Sequence, residues 1–462
     1  MRTLLWHDYE TWGNNPKQDF PAQFAAIRTD IDLNIIGKPI VLSATPPIDR
    51  LPSPIACSIT NLSPQRILTQ KHLNDVSFIK EINKQMSVPN TCTIGFNNLR
   101  FDDEVTRFAL YRNLFDPYAR EWQNHCSRWD LIDTLRMART LRPDGINWPQ
   151  DDEGKPSIKL ELLTKANNLE HKAHDALADV YATIEIAKLL KTKQPKLYAY
   201  AFNNRGKLAA QAMLNVTNPQ MILHFSGMYP VDKGNFGVVI PIAQINNNGY
   251  AVYDLSVDPD ILKTDDIEYL NYLMFSKNED LKPNEQRLPI KQVHINRCPI
   301  LAPVKTLSKQ VIEKYNVDLN ACKANFDKLK AMTGLEQKIK KIMDFKKYPA
   351  TENPEWGLYD GFIPNSDRNL CNKIHQTKPK DWGVFNFKDN RLPELFFRFK
   401  ARNYPELLNQ KEQLRWKKHC QQGVSADLEI FIQELEQLKA DQSSNNEQII
   451  NELVLWSNEL QV

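Results

Sequence analysis

Four acidic residues and one histidine have types and spacings that suit metal-assisted hydrolysis of a phosphate ester. They are Asp8, Glu10, Asp102, His174 and Asp179. Carboxylate oxygens are the ligands that hard cations such as Mg²⁺ prefer, and a two-metal site holds its ions about 3.5–4 Å apart, usually with a bridging carboxylate. A histidine with a pKa of about 6.5 can accept a proton from the attacking water at neutral pH. These residue types predict a two-metal phosphodiester-hydrolysing site.

The first acidic pair follows a short apolar run, Leu4 to Trp6, which predicts a buried strand. Side chains at positions i and i+2 of a strand point to the same face, so Asp8 and Glu10 can reach one ion. We expect Asp8 to bridge to the second ion. On its own, an Asp-x-Glu pair is more often a solvated strand face.

Asp102 follows a second strand-like run, at 91 to 96, and a turn-prone Asn97-Asn98 pair. It should begin a helix whose apolar positions have helical spacing, namely Val105, Phe108, Ala109 and Leu110. A helix N-terminus favours negative charge, so it tolerates an acid that faces metal. The sequence FDDE is also compatible with simple helix capping.

The last two residues of the set surround the start of another expected helix. Its apolar stripe consists of Leu177, Val180, Tyr181, Ile184, Ala187 and Leu190. Asp175 is a plausible N-cap, which leaves His174 on the preceding loop and Asp179 one turn into the helix. The His174-Asp175 pair also suits a His-Asp phosphohydrolase, and His171 with His174 suits half of a zinc site. However, the sequence shows no further ligands of the kind that a His-Asp phosphohydrolase needs. It also has no cysteine close by to complete a zinc site.

Longer stretches around these residues resemble bacterial exodeoxyribonuclease I, a DEDD-type exonuclease with a histidine base that degrades single-stranded DNA from the 3′ end. They are HDYETWG, PAQFAAIRTD, GFNNLRFDDEVTR, SRWDLID, LRPDGINWP, LTKAN and HDALADVYATI, followed by VHINRCP at 293 to 299 and FRFKARNYP at 397 to 405. The resemblance spans nearly the whole chain, which favours this family over shorter DEDD relatives such as oligoribonuclease.

The resemblance implies a role for each member of the set. Asp8, Glu10 and Asp179 would hold the ion that activates water, and Asp8 and Asp102 would hold the ion beside the leaving 3′ oxygen. His174 would be the general base. The implied cofactor is Mg²⁺, two ions per site, with Mn²⁺ as a possible substitute.

The resemblance also implies three domains. They are an α/β ribonuclease H-like exonuclease domain at 1–192, an SH3-like β-rich domain at 193–347 and an α-helical C-terminal domain at 348–462. Alternating strand-like and helical segments, the lysine-rich link KTKQPK and the turn-forming Tyr348-Pro349 fit this division. The acidic end, from 427 to 459, is expected to face solvent, away from DNA.

Several residues are candidates for contact with a single strand. Residues 100 to 142 contain eight arginines interleaved with aromatic residues, which suits phosphates and unstacked bases. Arg107 and Trp129 are the candidates there, although such runs are more often solvated faces or core. Lys159 stands where members of the family carry arginine, so a bidentate phosphate contact would become a point-charge contact.

The family's other properties give further expectations. They are processive release of 5′-mononucleotides, a role in DNA repair and recombination, a monomeric state, and binding of the acidic C-terminal tail of single-stranded DNA-binding protein, with Arg142 and Lys330 as candidate contacts. The chain of 462 residues has a net charge of +3 and seven scattered cysteines, which we interpret as free thiols in a reducing bacterial cytoplasm. No apolar stretch reaches membrane-spanning length, so no membrane partner is expected.

Two other functions remain open at this point. One is a DEDD-type exoribonuclease, because the sequence does not show how a 2′-hydroxyl would be accepted or refused. The other is a non-catalytic scaffold that binds single strands. The complete acidic set argues against a scaffold, because four carboxylates would repel a phosphate backbone.

Overall fold

The computed structural model describes residues 2–170, 175–344, 351–441 and 446–461. These residues form two compact units. The first takes the described residues within Met1–Ser127, His171–Ile184 and Ala350–Val462, and the second those within Arg128–Glu170 and Glu185–Pro349. The end of the chain therefore folds together with its beginning.

A five-stranded mixed sheet organises the first part of the chain, with the order β3-β2-β1-β4-β5. The central strand β1 is antiparallel to β2 and parallel to β4. The elements up to β5 are β1 (Thr3–Thr11), β2 (Pro21–Thr29), β3 (Ile40–Ser43), α1 (Pro54–Thr60), α2 (Pro64–Leu68), α3 (Asp75–Met86), β4 (Thr91–Gly95), α4 (Asp102–Arg112) and β5 (Ser127–Asp130).

The middle of the chain contains a second, antiparallel five-stranded sheet, with the order β10-β6-β7-β8-β9. Most of its strands arise from the β-like runs 236–245, 249–257 and 289–301. The elements from β5 onwards are α5 (Leu131–Leu141), α6 (Leu160–Ala166), α7 (Ala176–Lys193), α8 (Pro195–Asn204), α9 (Lys207–Met213), β6 (Ile222–Phe225), β7 (Phe236–Gln244), β8 (Gly249–Asp254), α10 (Ile267–Phe275), β9 (Ile290–His294), β10 (Ile300–Pro303), α11 (Lys309–Lys314), α12 (Leu319–Ala331) and α13 (Leu335–Asp344).

The last part is helical, as expected: α14 (Asn365–Gln376), α15 (Leu392–Asn403), α16 (Gln410–Ala440) and α17 (Asn446–Gln461). The long α16 begins with a capping box in which Asn409 and Glu412 bond each other's backbone N–H groups. Ser53 and Ser63 cap α1 and α2 through their hydroxyls alone, each accepting a hydrogen bond from a backbone N–H, and a proline follows each of them at the first helical position.

Helix α4 is held between two hydrophobic cores of the first unit. On one side Val105 packs with Phe78 of α3 and Phe24 of the sheet. On the other side Tyr111 packs in a cluster with Phe399 of α15. Because both faces of α4 are buried, its first turn, which carries Asp102, is fixed relative to β1.

Three acids of the C-terminal helices contact the first part of the chain, which corrects the expectation that the acidic end faces solvent. Asp427 pairs with Arg50 at 2.6 Å, Glu434 accepts a hydrogen bond from the Ser53 hydroxyl at 2.5 Å, and Glu452 pairs with Arg66 at 2.9 Å. The others remain exposed, namely Glu429, Glu436, Asp441, Glu447 and Glu459. The excess of acidic residues in this segment does not show which acids are paired and which are exposed.

Two further features concern expectations from composition. Each of the seven cysteines lies within the described residues and is a free thiol. Among the helices in the described part of the chain, none combines the length and the apolar character that crossing a membrane requires.

Candidate active site

Asp8 and Glu10 lie on β1 beyond the end of its parallel neighbour. β1 pairs with β4 as far as Trp6, opposite Ile94, and then continues beside β2 alone. Alternation along the strand places Asp8 and Glu10 on the same face. Gly95 ends β4 at a point where the backbones of β4 and β1 come close, since a Cβ there would lie 3.0 Å from the carbonyl oxygen of His7. The site therefore begins at the carboxyl end of β4.

Asp102 is the first residue of α4, as the sequence predicts, and it is 4% exposed. Its Oδ1 accepts a hydrogen bond from the backbone N–H of Tyr9 at 3.1 Å, which places it directly against the strand segment between Asp8 and Glu10. Thr106, which the sequence analysis did not single out, lies one turn later. Its hydroxyl is 2.8 Å from the carbonyl oxygen of Asp102 and 3.0 Å from the Tyr9 hydroxyl, so it ties α4 to β1.

Asp179 lies in the first turn of α7. The Asp175 side chain accepts a hydrogen bond from the backbone N–H of Ala178 at 2.9 Å, which confirms the predicted cap. Most of the predicted apolar stripe is buried or partly buried, but Tyr181 is 38% exposed. His174, the predicted base, lies outside the described residues.

The structure brings Asp8, Glu10 and Asp179 together, with one carboxylate oxygen of each within 4.8 Å of the others. Asp102 lies beside this group, where its charge acts on Asp8. The three clustered residues are those expected to share one ion, while Asp8 and Asp102 are those expected to share the second. The roles themselves stay predictions.

Burial and mutual repulsion raise the pKa of two of these carboxyl groups. The pKa of Asp8 is held well above its ordinary value by burial, and then by the charges of Asp102, Glu10 and Asp179. Burial and the charges of Asp179 and Asp175 raise the pKa of Glu10 to about 8. Buried, mutually repelling carboxylates need either protons or cations. Their oxygen donors fit a hard divalent ion.

Three family models match consecutive parts of the chain. Residues 5–187 match a model described as Exonuclease, residues 205–344 the Exonuclease I SH3-like domain and residues 352–460 the Exonuclease I C-terminal domain. Exodeoxyribonuclease I of Haemophilus influenzae is 41% identical over 451 residues, covering 96% of this chain and 95% of the relative. The chain belongs to the exodeoxyribonuclease I family. It is accordingly a nuclease, and the expected series of an α/β exonuclease domain, an SH3-like domain and a helical C-terminal domain is confirmed.

Solved structures of the family agree over the full length. Exonuclease I from Methylocaldum szegediense, described as moderately thermophilic, is 43% identical with a TM-score of 0.94, and the match covers both whole chains. E. coli Exonuclease I in complex with a dA16 oligonucleotide is 39% identical, again with a TM-score of 0.94 and complete coverage of both chains.

A further E. coli structure bears on the metal. It is the zinc ion bound form of an ExoI–ssDNA complex, at 39% identity and a TM-score of 0.93 over both whole chains. This relative, the exonuclease domain and the acidic group at Asp8, Glu10 and Asp179 together support the use of divalent metal ions by this chain.

In a chelating buffer, we expect the melting temperature of the exodeoxyribonuclease I chain to fall as pH rises from about 6 to about 8.5. A carboxyl with a raised folded-state pKa stabilises the fold below its unfolded-state pKa. That stabilisation is lost as pH rises through the folded-state pKa, about 8 for Glu10. Saturating divalent metal replaces the proton and should remove most of the fall. Thermal melts along a pH series, with chelator or metal, measure this, and equal slopes in both would contradict it.

Two of the candidate DNA contacts are buried, which corrects the prediction for both. Trp129 is 0% exposed and packs edge-on against Tyr198 and Phe202. Arg107 is 3% exposed, and its guanidinium pairs at 2.7 Å with both Glu104 and Glu121. Stacking and phosphate contacts need an accessible face, so these residues have structural roles. Most of the arginines and aromatic residues between 100 and 142 are buried, where they form ion pairs and ring contacts.

The remaining basic candidates are exposed. Lys159 stands immediately before α6, and Arg142 immediately after α5. Lys330 lies near the end of α12, with its ammonium 5.5 Å from the centroid of the Phe326 ring. Their accessibility is compatible with the expected contacts, which stay predictions.

A second acidic group has an internal cation and is not a metal candidate. Asp49, Glu355 and His419 also have ligand atoms within 4.8 Å of one another. However, Arg402 donates to Asp49 at 2.5 Å and to Glu355 at 2.5 Å. The guanidinium already supplies the positive charge that a metal would supply, so we interpret this group as a structural ion-pair network.

Proposed function

We propose that the protein is a single-stranded-DNA-specific 3′-to-5′ exodeoxyribonuclease that works processively and releases 5′-mononucleotides. The observation that carries this proposal is the group of Asp8, Glu10 and Asp179 beside Asp102, in a chain whose E. coli relative binds DNA oligonucleotides. We also propose a monomer in the bacterial cytoplasm that serves DNA repair and recombination, with domains at 1–192, 193–347 and 348–462.

The proposed cofactor is a pair of Mg²⁺ ions, for which Mn²⁺ can substitute. Asp8, Glu10 and Asp179 would hold one ion, and Asp8 and Asp102 the other. Bound metal would make water a nucleophile at neutral pH and offset the charge that develops on the phosphate. Asp8 would contribute to both ion sites, because its carboxylate lies with those of Glu10 and Asp179 and is influenced by the charge of Asp102. Tyr9 and Thr106 keep Asp102 in position through β1 and α4.

Proton transfer is assigned to His174, which would take the proton of the attacking water as general base. The four carboxylates repel a phosphate backbone until cations are present. We therefore expect productive binding of the 3′ end to depend on metal. Lys159 would provide a point-charge contact to a backbone phosphate.

The experiment that tests the function follows nucleotide release from 5′-labelled and 3′-labelled single-stranded DNA in Mg²⁺. Early loss of the 3′ label from single strands, but not from duplex, is expected. Asp102→Ala should abolish release, whereas Asp152→Ala, which replaces an exposed acid between α5 and α6, should not. No release from any substrate would reject the proposal.

The same experiment separates the two alternatives. Equal rates on matched RNA and DNA would favour an exoribonuclease. Strand binding that persists without metal and yields no nucleotides would favour a non-catalytic scaffold. We favour the deoxyribonuclease because the family match covers all three parts of the chain.

Processivity is tested with a DNA trap. Excess unlabelled single strands added after binding should leave the first round of digestion unaffected, because an engaged strand slides forward faster than it dissociates. Immediate arrest on addition of the trap would show that the enzyme is distributive.

The proposed protein partner is the acidic C-terminal tail of single-stranded DNA-binding protein. Arg142→Ala combined with Lys330→Ala should weaken binding of a tail peptide roughly tenfold at low salt, and the difference should shrink at high salt. Lys309→Ala, an exposed lysine at the start of α11, is the control. Unchanged peptide affinity in the double variant would reject these two contacts.

A further inference from the structure

The stretch from Pro354 to Phe362, here called the aromatic arm, presents three rings in nine residues with the sequence PEWGLYDGF. Its first six residues form a 3-10 helix, Pro354–Tyr359. Trp356 is half-buried, whereas Tyr359 is 54% exposed and Phe362 is 83% exposed. Rings so exposed on an ordered segment are costly in water, and the activity proposed above assigns them no role.

The arm contacts both chain segments that carry acids of the site. The ammonium of Lys17, on the loop that follows Glu10 and β1, lies 5.6 Å from the centroid of the Trp356 ring. The Tyr359 hydroxyl donates to the carboxylate of Glu104, which is in the first turn of the helix that begins with Asp102. The arm therefore borders the elements that position Glu10 and Asp102.

Neighbouring rings orient the exposed ones. Tyr359 meets the buried Phe108 ring edge-on, with centroids 5.9 Å apart and an interplanar angle of 88°. Phe362 meets Tyr118 at 6.4 Å and 69°. Tyr118 in turn lies 5.5 Å from the guanidinium of Arg107. Edge-on packing holds the orientation of a ring while leaving much of its surface accessible.

The backbone of the arm is also fixed. Arg391 donates to the carbonyl oxygens of Gly357 and Gly361, the second at 3.0 Å. Gly361 has φ +131, which other residues rarely adopt, so the turn before Phe362 requires glycine. Glu355 is paired with Arg398 at 2.9 Å and with Arg402. Little conformational entropy would be lost when a ligand binds to such a segment.

Charge favours an aromatic ligand over a charged one on this surface. Glu104 is paired with Arg107 at 2.7 Å, and Asp360 accepts a hydrogen bond from the backbone N–H of Thr351 at 2.9 Å. The arginines beside the arm are paired with acids, Arg391 with Asp389 and both Arg398 and Arg402 with Glu355. The exposed rings therefore offer ring faces more than positive charge, which suits nucleobases and not phosphates. Any base has a π-face, so such a surface tolerates every sequence.

We propose that Phe362 and Tyr359 form a stacking platform for bases of the single strand as its 3′ end approaches the acids. This inference rests on the proposed function and assigns the arm a positioning role: it sets the path of the strand, while the carboxylates act on the terminal phosphodiester. Trp356 contributes by fixing the start of the arm against the loop that follows Glu10.

Strands with one abasic residue test the platform. The oligonucleotides would carry the gap at successive positions from a phosphorothioate-protected 3′ end, and affinity would be measured with Ca²⁺ in place of Mg²⁺. For the unmodified protein we expect one or two positions where the gap weakens binding about tenfold, in line with about 1–3 kcal/mol per stacked base. Phe362→Ala should bind an intact strand about tenfold more weakly and lose the extra penalty at those positions.

Matched variants separate stacking from other effects. Phe362→Trp should retain affinity, whereas Phe362→Leu should behave like Phe362→Ala, because leucine is apolar without a π-face. Leu414→Ala removes another exposed apolar side chain, 71% exposed on α16, and should change nothing. Tyr359→Phe keeps the second aromatic ring, so an abasic residue should weaken strand binding by this variant as much as by the unmodified protein.

Two results would overturn the platform. One is an unchanged affinity in Phe362→Ala, and the other is a loss that leaves the abasic profile as it was, since the residue would then act through folding alone. If the unmodified protein removes nucleotides from 3′ ends, either result rejects the stacking role of the arm without contradicting the proposed function. Absence of 3′ release by the unmodified protein would reject the proposed function itself.

Discussion

Asp8→Asn should lower nuclease turnover by roughly a thousandfold or more, equivalent to about 4 kcal/mol of transition-state stabilisation. Asparagine has nearly the same shape, so the fold is preserved, but it removes the charge shared by both expected metal sites. Asp8 interacts electrostatically with Glu10, Asp102 and Asp179, which makes it the residue whose loss affects the whole group. Measured turnover of 3′-labelled single strands at saturating Mg²⁺ checks this.

The same substitution should stabilise the metal-free protein. Burial and three neighbouring acids raise the pKa of Asp8, so its ionised form is unfavourable without a cation. We expect Asp8→Asn to raise the free energy of unfolding by about 1 kcal/mol in chelator near pH 8, and to gain less than the parent from added metal. A variant that is both inactive and less stable in chelator would show that Asp8 has a structural role instead.

The acidic set was readable from sequence because local patterns determine each position. Strand alternation places Asp8 and Glu10 together, and a turn followed by helical periodicity places Asp102 at the start of α4. Asp179 follows a capping aspartate by four residues. Each prediction depends on a few neighbouring residues, so it does not require knowledge of long-range packing.

The surface was harder to predict because burial depends on distant partners. Arg107 belongs to a basic, aromatic stretch, yet Glu121 and Glu104 enclose it. Glu434 belongs to an acidic tail, yet it accepts a hydrogen bond from the hydroxyl of Ser53, which lies 381 residues earlier in the sequence. The rings of the aromatic arm recur every third residue, but this spacing does not show which of them is exposed. Their exposure depends on how the arm packs against α4 and the loop after β1. Charge and ring content along a sequence do not specify such pairings.

The close association of the last helices with the first domain changes how the C-terminal part should be viewed. Its helices share hydrophobic cores with the first part of the chain. In one of these cores, Trp12 and Phe20 pack with Phe431 of α16 and Leu453 of α17. A second cluster joins the aromatic arm to the helix α4 that carries Asp102, with Leu358 packed among Phe108 of α4 and Phe399 of α15. Loss of that packing should therefore affect the acidic site and the overall stability together.

Arg402→Ala should lower the free energy of unfolding by about 3–5 kcal/mol, because it leaves two buried carboxylates without their partner. Arg402 of α15 bridges Asp49, which lies between β3 and α1, and Glu355 of the aromatic arm. Burial opposes ionisation of both acids, but the Arg402 charge outweighs it, lowering the pKa of Asp49 strongly and that of Glu355 to about 2. Denaturant unfolding at pH 7 measures the loss.

Arg415→Ala is the matched control, since Arg415 of α16 also pairs with a glutamate, Glu394, but its side chain is 55% exposed. An exposed pair contributes about 0–1 kcal/mol. The pH dependence adds a second criterion. In the parent, the contribution of Glu355 is present above its ordinary pKa of 4.5 and is lost as pH falls towards 2. In Arg402→Ala both acids should instead take up protons readily, so its deficit relative to the parent should shrink between about pH 7 and about pH 4. Equal losses in the two variants, or a deficit that grows on acidification, would show that the buried network does not hold the C-terminal helices to the exonuclease domain.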